Sequence, residues 1–128
     1  DLTVKRGVTA MKWDPFGKAY MTLSNAELNT AIECVGAVRE AVGKDVDLLI
    51  ECHGRFDVAT GIKICHEMEQ FSPMLVEEPV PPDNLDALKA VRDKSNLPIS
   101  AGERLYSRRD YLPLFNMRAA DFIQRGFV

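Results

Sequence analysis

The stretch Asp47-Leu-Leu-Ile-Glu51 decides the fold, because it is a short apolar run that ends in a carboxylate. The same pattern occurs twice more: Glu77 follows Pro-Met-Leu-Val, and Glu103 follows Leu-Pro-Ile-Ser-Ala-Gly. Consecutive glutamates of this set are 26 residues apart, at positions 51, 77 and 103. One strand, one helix and two short loops have about that length, so the spacing predicts repeated βα units with a glutamate at the same end of each strand.

Five β-type runs alternate with four helical patterns along the chain. Strands that alternate with helices favour a parallel sheet with right-handed crossovers. The helices are marked by capping signals. The predicted strands are Val8–Lys12, Asp47–His53, Met74–Glu77, Ile99–Glu103 and Ala120–Gln124. The helix signals are Ser24 with Glu27 and then Gly43 for the first helix, about Val58 to Gln70 for the second, Asp83 or Asn84 at the start of the third, and Ser107 at the start of the fourth.

Two α/β architectures fit this order: a doubly wound open sheet and part of a (βα)8 barrel. A dinucleotide-binding open sheet carries a glycine-rich turn after its first strand, and Lys12-Trp-Asp-Pro-Phe-Gly17 lacks that pattern. Functional residues at the ends of at least four consecutive strands favour the barrel, whose strands all point at one centre. We therefore predict one partial TIM-type barrel domain over residues 1–128, with about five parallel strands and four helices.

The composition excludes several classes of protein. Sixteen basic and nineteen acidic residues leave a formal charge of −3, which gives no attraction to nucleic acid or to an anionic membrane. No apolar run approaches the roughly 18 residues that span a bilayer, and residues 1–7 have no signal-peptide core. Three cysteines without paired metal-binding spacing indicate reduced thiols. We therefore expect a cytoplasmic protein.

The three glutamates predict a metal site. Carboxylates at the same phase of successive βα units lie on one rim of a parallel sheet, where ligands bind in such folds. Their repulsion would force protonation unless a cation relieved it, and oxygen ligands suit a hard ion such as Mg2+. The alternative is that glutamates simply stand at strand ends without a shared role. The candidate ligands are Glu51, Glu77 and Glu103.

Further polar residues surround this predicted site. Side chains two positions apart on a strand share a face, so Lys12 pairs with Asp14, and Glu51 with His53. His53 is a candidate acid or base, because histidine titrates near neutrality. Arg104 follows Glu103 and is a candidate for holding a substrate carboxylate. We expect Cys52 to lie in the core, His66 to be packing or surface, and Glu78 to form a salt bridge into the helix layer.

Four motifs together resemble a known family. They are Lys12-x-Asp14-Pro-Phe-Gly, Glu51-Cys-His53-Gly-Arg-Phe, Val76-Glu77-Glu-Pro-Val and Ala101-Gly-Glu103-Arg-Leu-Tyr-Ser-Arg. Their order and spacing resemble the mandelate racemase and muconate-lactonizing branch of the enolase superfamily, and most closely its galactonate dehydratase-like sugar-acid dehydratases. The resemblance extends from about residue 8 to residue 124.

This resemblance implies a Mg2+-dependent dehydratase that acts on a sugar acid such as an aldonate. Members of the family remove the proton alpha to a carboxylate and stabilise the resulting enediolate on the metal. The resemblance assigns His53 as the acid that protonates the departing hydroxyl and Lys12 as a catalytic lysine. Asp14 and Arg104 are the substrate-binding candidates. Glu51 stands where the family usually has aspartate, which shifts that carboxylate by about 1 Å.

Other activities of the branch remain open as alternatives. Asp14 replaces the second lysine of the racemases' Lys-x-Lys element, which argues against racemisation by a lysine–histidine pair. A racemase or cycloisomerase of the same branch is nevertheless an alternative. Related chains continue with Pro-Asp after Ile-Gln and carry a second catalytic histidine on a later strand, whereas this sequence ends Arg-Gly-Phe-Val128. The activity of the 128-residue chain by itself is therefore a separate hypothesis from its ancestry.

The remaining expectation concerns assembly. The resemblance implies five-eighths of a barrel, with neither the amino-terminal capping domain nor the last strands. A partial barrel exposes a strand edge at each end and bares apolar side chains, so a non-catalytic half-barrel that self-associates is the second hypothesis. We expect a homo-oligomer. The residues expected on the bared faces or in the contact are Ile99, Phe122 and Phe127.

Overall fold

A computed structural model describes residues 6–125, which form a parallel sheet and four helices. The strands are β1 (Ala10–Trp13), β2 (Asp47–Glu51), β3 (Leu75–Glu77), β4 (Ile99–Ala101) and β5 (Phe122–Ile123). The helices are α1 (Asn25–Val42), α2 (Val58–Met68), α3 (Leu85–Lys94) and α4 (Arg108–Met117), and a 3-10 turn (Glu69–Phe71) follows α2. The α/β class and the number of elements predicted from the sequence are confirmed.

The strands lie side by side in chain order, β1-β2-β3-β4-β5, and every neighbouring pair is parallel. Because each connection leads to the next strand on the same side, and such connections are right-handed, all the helices lie on one face of the sheet. The other face is the interior of a barrel. Glu51 is in register with Glu77, Glu77 with Ser100, and Ser100 with Phe122, so these four side chains point into that interior.

Local capping explains where the helices begin. The Ser24 hydroxyl accepts from the Glu27 N–H, and the Glu27 carboxylate accepts from the Ser24 N–H, which completes the predicted capping box of α1. Ser107 caps α4 with a second capping box. The N-cap of α3 is Asn84, one of the two residues predicted. Gly43 ends α1 with a positive φ of 81°, although its ψ of −171° is extended and not helical.

The core lies between the sheet and the helices. Leu48, Ile50 and Val76 are fully buried on the side of the sheet that faces the helices, and Cys52 is buried there as expected. Ile99 is in register with Val76 and is also fully buried, so the prediction that it lies on a bared face is wrong. The error has a simple cause, since alternate residues of β4 face opposite sides and Ser100 is the inward one.

The last unit of the sheet is less covered than the others. Phe122 points into the open interior and is 40% exposed, as predicted, and Ile123 is exposed to the same extent on the other side. Phe115 of α4 is 56% exposed, because α4 packs chiefly against α3 within residues 6–125. Phe127 lies outside the described residues. None of the helices within residues 6–125 combines the length and hydropathy that a bilayer crossing requires.

β2 and β4 end two residues earlier than the sequence suggested. β2 ends at Glu51, so His53 lies in the following turn and adopts a left-handed φ of 54°. Likewise β4 ends at Ala101, and Gly102, with a φ of 123°, turns the chain before Glu103. Glu51 and His53 therefore do not share a strand face as predicted, and contacts in the turn decide the position of His53.

Candidate metal centre and active site

Three carboxylates converge at the carboxyl ends of β2, β3 and β4. One oxygen from each of Glu51, Glu77 and Glu103 lies within 4.8 Å of the other two. The side chains of Glu51 and Glu77 are buried, and that of Glu103 is partly exposed. Register explains the first pair, because Glu51 and Glu77 are direct partners across β2 and β3. The convergence is the one that the 26-residue spacing predicts.

Lys12 reaches the same cluster from β1. Its Nζ donates to Glu51 Oε2 at 3.0 Å and to Glu77 Oε2 at 2.8 Å. Burial lowers the pKa of Lys12, but the hydrogen bonds to Glu77 and Glu51 and the charges of both carboxylates outweigh burial, so the pKa rises above its ordinary value. The ammonium is therefore charged at neutral pH and offsets part of the negative charge of the cluster.

Glu77 is the most enclosed member of the cluster. Loss of hydration raises its pKa, the hydrogen bond from Lys12 opposes the rise, and the charges of Glu51 and Glu103 add to it. Its Oε2 also accepts from Gln124 Nε2 at 2.6 Å. Among the described residues, no donor lies within hydrogen-bond distance of the buried Oε1. An unsatisfied buried oxygen beside two further carboxylates fits a hard cation, whose ligands are oxygens.

Gln124 is a site residue that the sequence analysis did not single out. It follows β5 directly and donates into the cluster from the strand next to β4. Gln124 carries the same sequence signal as the glutamates, namely a polar side chain directly after an apolar strand. It differs from the glutamates in being uncharged.

His53 is held in its turn by several contacts. Its backbone N–H donates to Glu51 Oε1 at 2.9 Å, and its carbonyl accepts from Arg104 Nη2 at 2.9 Å. Its ring Nδ1 lies 2.6 Å from Asp14 Oδ2. The side chain is 50% exposed. The tight turn therefore places the backbone of His53 against Glu51 and its ring against Asp14.

Asp14 lies beside His53 and not beside the carboxylate cluster. Its Oδ2 contacts His53 Nδ1 and Arg55 Nη2, and its Oδ1 accepts from the Phe16 N–H. Lys12 and Asp14 thus lie on the same rim, but Lys12 contacts the carboxylate cluster and Asp14 contacts His53 and Arg55. Arg55 is a second residue that the sequence analysis missed, although it belongs to the Glu-Cys-His-Gly-Arg motif.

Arg104 contacts the outer part of the cluster. Its guanidinium is 44% exposed and lies 3.6 Å from Glu103 Oε1 and 3.7 Å from Glu78 Oε2. Glu78 is fully buried, and burial raises its pKa to about 7 although the charge of Arg104 opposes the rise. The predicted salt bridge of Glu78 therefore exists, but its partner lies at the rim and not in the helix layer.

The arrangement combines three chemical abilities at one rim. The carboxylates provide oxygen ligands for a divalent cation, and Lys12 and Arg104 provide positive charge for an anionic substrate. The imidazole of His53 provides a group for proton transfer. His66, the second histidine, lies on the helix layer, where its Nε2 contacts the Lys94 carbonyl at 3.1 Å.

Residues 1–126 match the sequence model of a family described as Enolase C-terminal domain-like. The D-gluconate/D-galactonate dehydratase of Picrophilus torridus is 35% identical over 121 residues, which cover 94% of this chain and 31% of the relative. The D-gluconate dehydratase of Thermoproteus tenax is 39% identical over 121 residues, which cover 94% of this chain and 24% of the relative. The chain therefore spans a third or less of these curated relatives.

Solved structures agree with this match. A mandelate racemase/muconate lactonizing enzyme-like protein from Rubrobacter xylanophilus superposes with a TM-score of 0.90 at 40% identity, over 97% of this chain and 34% of that chain. A dehydratase-like structure from Zymomonas mobilis gives a TM-score of 0.89 at 32% identity, over 95% of this chain and 34% of that chain. The five-stranded sheet therefore corresponds to part of a complete TIM-barrel enzyme.

Proposed function

The chain belongs to the Enolase C-terminal domain-like family, and from that premise we propose that its site serves a Mg2+-dependent sugar-acid dehydratase. The observation that carries the proposal is the convergence of three carboxylates within 4.8 Å at the ends of consecutive strands. The relatives include D-gluconate, D-galactonate and D-xylonate dehydratases, which supports the substrate class. The proposed substrate is therefore an aldonate.

Glu51, Glu77 and Glu103 would hold the Mg2+ ion. The all-oxygen donor set and the unsatisfied Oε1 of Glu77 support this assignment. When bound, the ion would supply the Lewis acidity that offsets the negative charge developing on a substrate carboxylate as its alpha proton leaves. Glu51 contributes one oxygen to the cluster, and its Oε1 accepts from the His53 N–H.

The residues of this chain have separate roles in the proposal. His53 donates a proton from Nε2 to the hydroxyl at the beta carbon, the carbon–oxygen bond breaks, and the hydroxyl leaves as water. The alpha proton passes to a base, a role that the family resemblance gives to the second catalytic histidine on a later strand of the complete barrel. Lys12 places a charged ammonium beside the cluster, where it attracts the substrate carboxylate. Arg104, which is 44% exposed beside Glu103, adds a second positive charge at the mouth of the site.

The second candidate function is a non-catalytic partial barrel that associates with itself. The observation that favours it is the apolar surface of the last βα unit, where Phe115, Phe122 and Ile123 are 40% to 56% exposed. Within residues 6–125, the outer edge of β5 pairs with no further strand. Exposed apolar side chains next to an open strand edge are typical of surfaces that bind another protein surface.

One assay separates these functions. Dehydration of an aldonate yields water and a 2-keto-3-deoxy acid, whose carbonyl forms a coloured or ultraviolet-absorbing derivative. We would incubate gluconate, galactonate and xylonate with the chain, alone and mixed with the segment of the Picrophilus torridus relative that follows the matched region. We expect a keto acid that requires Mg2+ and disappears with a chelator.

The other outcomes are equally informative. No keto acid in either mixture would contradict the dehydratase proposal. Inverted configuration at the alpha carbon without loss of water would assign a racemase of the same branch. A stable oligomer that neither turns over a substrate nor binds metal would favour the non-catalytic function.

A further inference from the structure

We propose that Asp14 is a positioning residue that holds His53 in its Nδ1–H tautomer and fixes the orientation of its ring. In one respect this rests on the proposed function, namely that His53 is the proton donor. It also replaces the substrate-binding role that the sequence suggests for Asp14, because the carboxylate contacts protein groups through both of its oxygens.

Three contacts account for the Asp14 carboxylate. Oδ2 lies 2.6 Å from His53 Nδ1 and 2.5 Å from Arg55 Nη2, and Oδ1 accepts from the Phe16 N–H at 2.9 Å. The side chain is only 18% exposed. A carboxylate accepts hydrogen bonds and does not donate them, so Nδ1 of His53 must carry the proton that the two groups share.

Arg55 holds Asp14 in this position. Its Nη1 donates to the Gly17 carbonyl at 2.9 Å, and its Nε donates to the Cys52 carbonyl at 3.2 Å. The guanidinium thus connects the loop after β1 with the turn after β2 and keeps the Asp14 carboxylate beside His53 Nδ1. The planar fork of arginine suits this task, because its donors have a fixed geometry.

The backbone of His53 is fixed as well. Its N–H is bound to Glu51 and its carbonyl to Arg104, and the next residue, Gly54, donates its N–H to the Glu78 carbonyl at 2.7 Å. Within residues 6–125, the ring Nε2 makes no hydrogen bond. The half-exposed ring therefore presents Nε2 as the nitrogen that is free to exchange a proton with a ligand.

This arrangement matches the chemistry of a proton donor. When Nε2–H breaks and the proton joins the departing hydroxyl, the neutral ring that remains carries its proton on Nδ1. That is the tautomer whose Nδ1–H Asp14 accepts, so the carboxylate stabilises the ring before and after the transfer. Without Asp14, the ring is free to rotate and to place its remaining proton on either nitrogen.

The tautomer can be measured in the chain itself by nitrogen-15 NMR of the imidazole rings at a pH where both are neutral. His66 is an internal reference, because its Nε2 contacts the Lys94 carbonyl and must therefore carry the proton. We expect the Nδ1–H form for His53 and the Nε2–H form for His66 in one spectrum. A predominant Nε2–H form for His53 would overturn the proposal.

Variants test whether Asp14 determines the tautomer of His53. Asp14→Ser keeps a hydroxyl oxygen for the Phe16 N–H but is too short to reach the ring, and we expect His53 to shift towards the Nε2–H form. Arg55→Met leaves the carboxylate and removes its support, and we expect a smaller shift in the same direction. The control is Asp57→Ser, which exchanges the same residue types at the N-cap of α2 and should leave both tautomers unchanged.

The NMR outcomes test the positioning role of Asp14 independently of any dehydratase activity. An unchanged His53 tautomer in Asp14→Ser would overturn the positioning role. If Asp14→Ser does not fold, the wild-type spectrum and Arg55→Met decide in its place. The Nδ1–H tautomer together with no keto acid in either assay mixture would contradict the proposed function and leave the positioning of His53 intact.

Discussion

Two regions of the molecule depart from the usual pattern of burial: the carboxyl rim of β2–β4 buries charged residues, and the edge formed by β5 and α4 exposes apolar ones. At the rim, Glu77 and Glu78 are fully buried, although charged residues normally lie at the surface. At the edge, Phe115 is 56% and Phe122 is 40% exposed, although aromatic residues normally lie inside. Buried charge requires hydrogen bonds and counter-charges, and exposed apolar surface favours contact with another surface. The rim is therefore the proposed ligand site, and the edge of β5 and α4 is the proposed association surface.

The largest expected effect concerns the rim. Replacing His53 with asparagine removes the proton donor, and we expect dehydration in the sugar-acid assay to fall by about 10²- to 10⁴-fold. Mg2+ affinity should stay nearly intact, because the ring is not a member of the carboxylate cluster. His66→Asn is the matched control. A His53→Asn rate within roughly threefold of the parent would assign His53 a packing role.

A matched pair of isoleucines compares a central strand with the edge. Ile50 in β2 is fully buried, whereas Ile123 in β5 is 40% exposed. We expect Ile50→Ala to lower the free energy of unfolding by about 2–5 kcal/mol, and Ile123→Ala by less than about 1 kcal/mol. Urea denaturation of both variants measures the difference. Equal losses would show that the edge is as well packed as the centre.

The sequence predicts those features that depend on local signals. Element order follows from alternating patterns, and the start of α1 follows from the pairing of Ser24 with Glu27, three residues apart. Periodic spacing predicts the convergence of the glutamates, because a repeated βα unit carries its strand end to the same rim. These signals require no knowledge of tertiary contacts.

Features that depend on tertiary contacts were not predictable in the same way. The contact between Asp14 and His53 joins residues 39 positions apart and depends on how two loops meet. The left-handed turn at His53 breaks the alternation that a continuing strand would impose, and few non-glycine residues adopt such a turn. The burial of Ile99 depends on which face of β4 the helices cover, and the apolar run alone does not state that.

The association surface provides the third prediction. We expect the chain to form a homodimer or larger oligomer at micromolar concentration, measured by light scattering. Phe122→Ser should weaken association, by about 1.5–3 kcal/mol if the ring is fully buried in the contact. Tyr20→Ser, a change at a 71% exposed aromatic residue away from β5, is the control. A compact monomer that unfolds cooperatively would contradict this prediction.

The smallest expected effect concerns how β5 is anchored. Asp121, just before β5, accepts from Arg92 Nε and Nη2 at 3.0 and 2.7 Å and from the Ile99 N–H at 3.0 Å. Partial burial raises the pKa of Asp121, but these hydrogen bonds and the charge of Arg92 outweigh burial and lower the pKa below its ordinary value of 3.8.

The sign of the pH dependence follows from that lowered pKa. The stabilisation is present at pH values above the unfolded-state pKa and is lost as pH falls through the lower folded-state pKa. We expect Asp121→Asn to reduce the loss of unfolding free energy below pH 3.8, measured by urea denaturation at several pH values. Asp45→Asn, a change at an exposed loop residue, is the control. Identical pH profiles for Asp121→Asn and the parent would contradict the assignment.

Calorimetric titration with Mg2+ shows whether Glu51, Glu77 and Glu103 form one metal site. We expect the wild-type chain to bind one ion, Glu77→Gln to give no binding heat, and Glu33→Gln, which alters an exposed glutamate on α1, to bind as the wild type does. Removing one charged oxygen from a set of three should abolish the site, because Mg2+ depends on such ligands. Equal heats for the wild-type chain and Glu77→Gln would show that the three glutamates do not form a Mg2+ site.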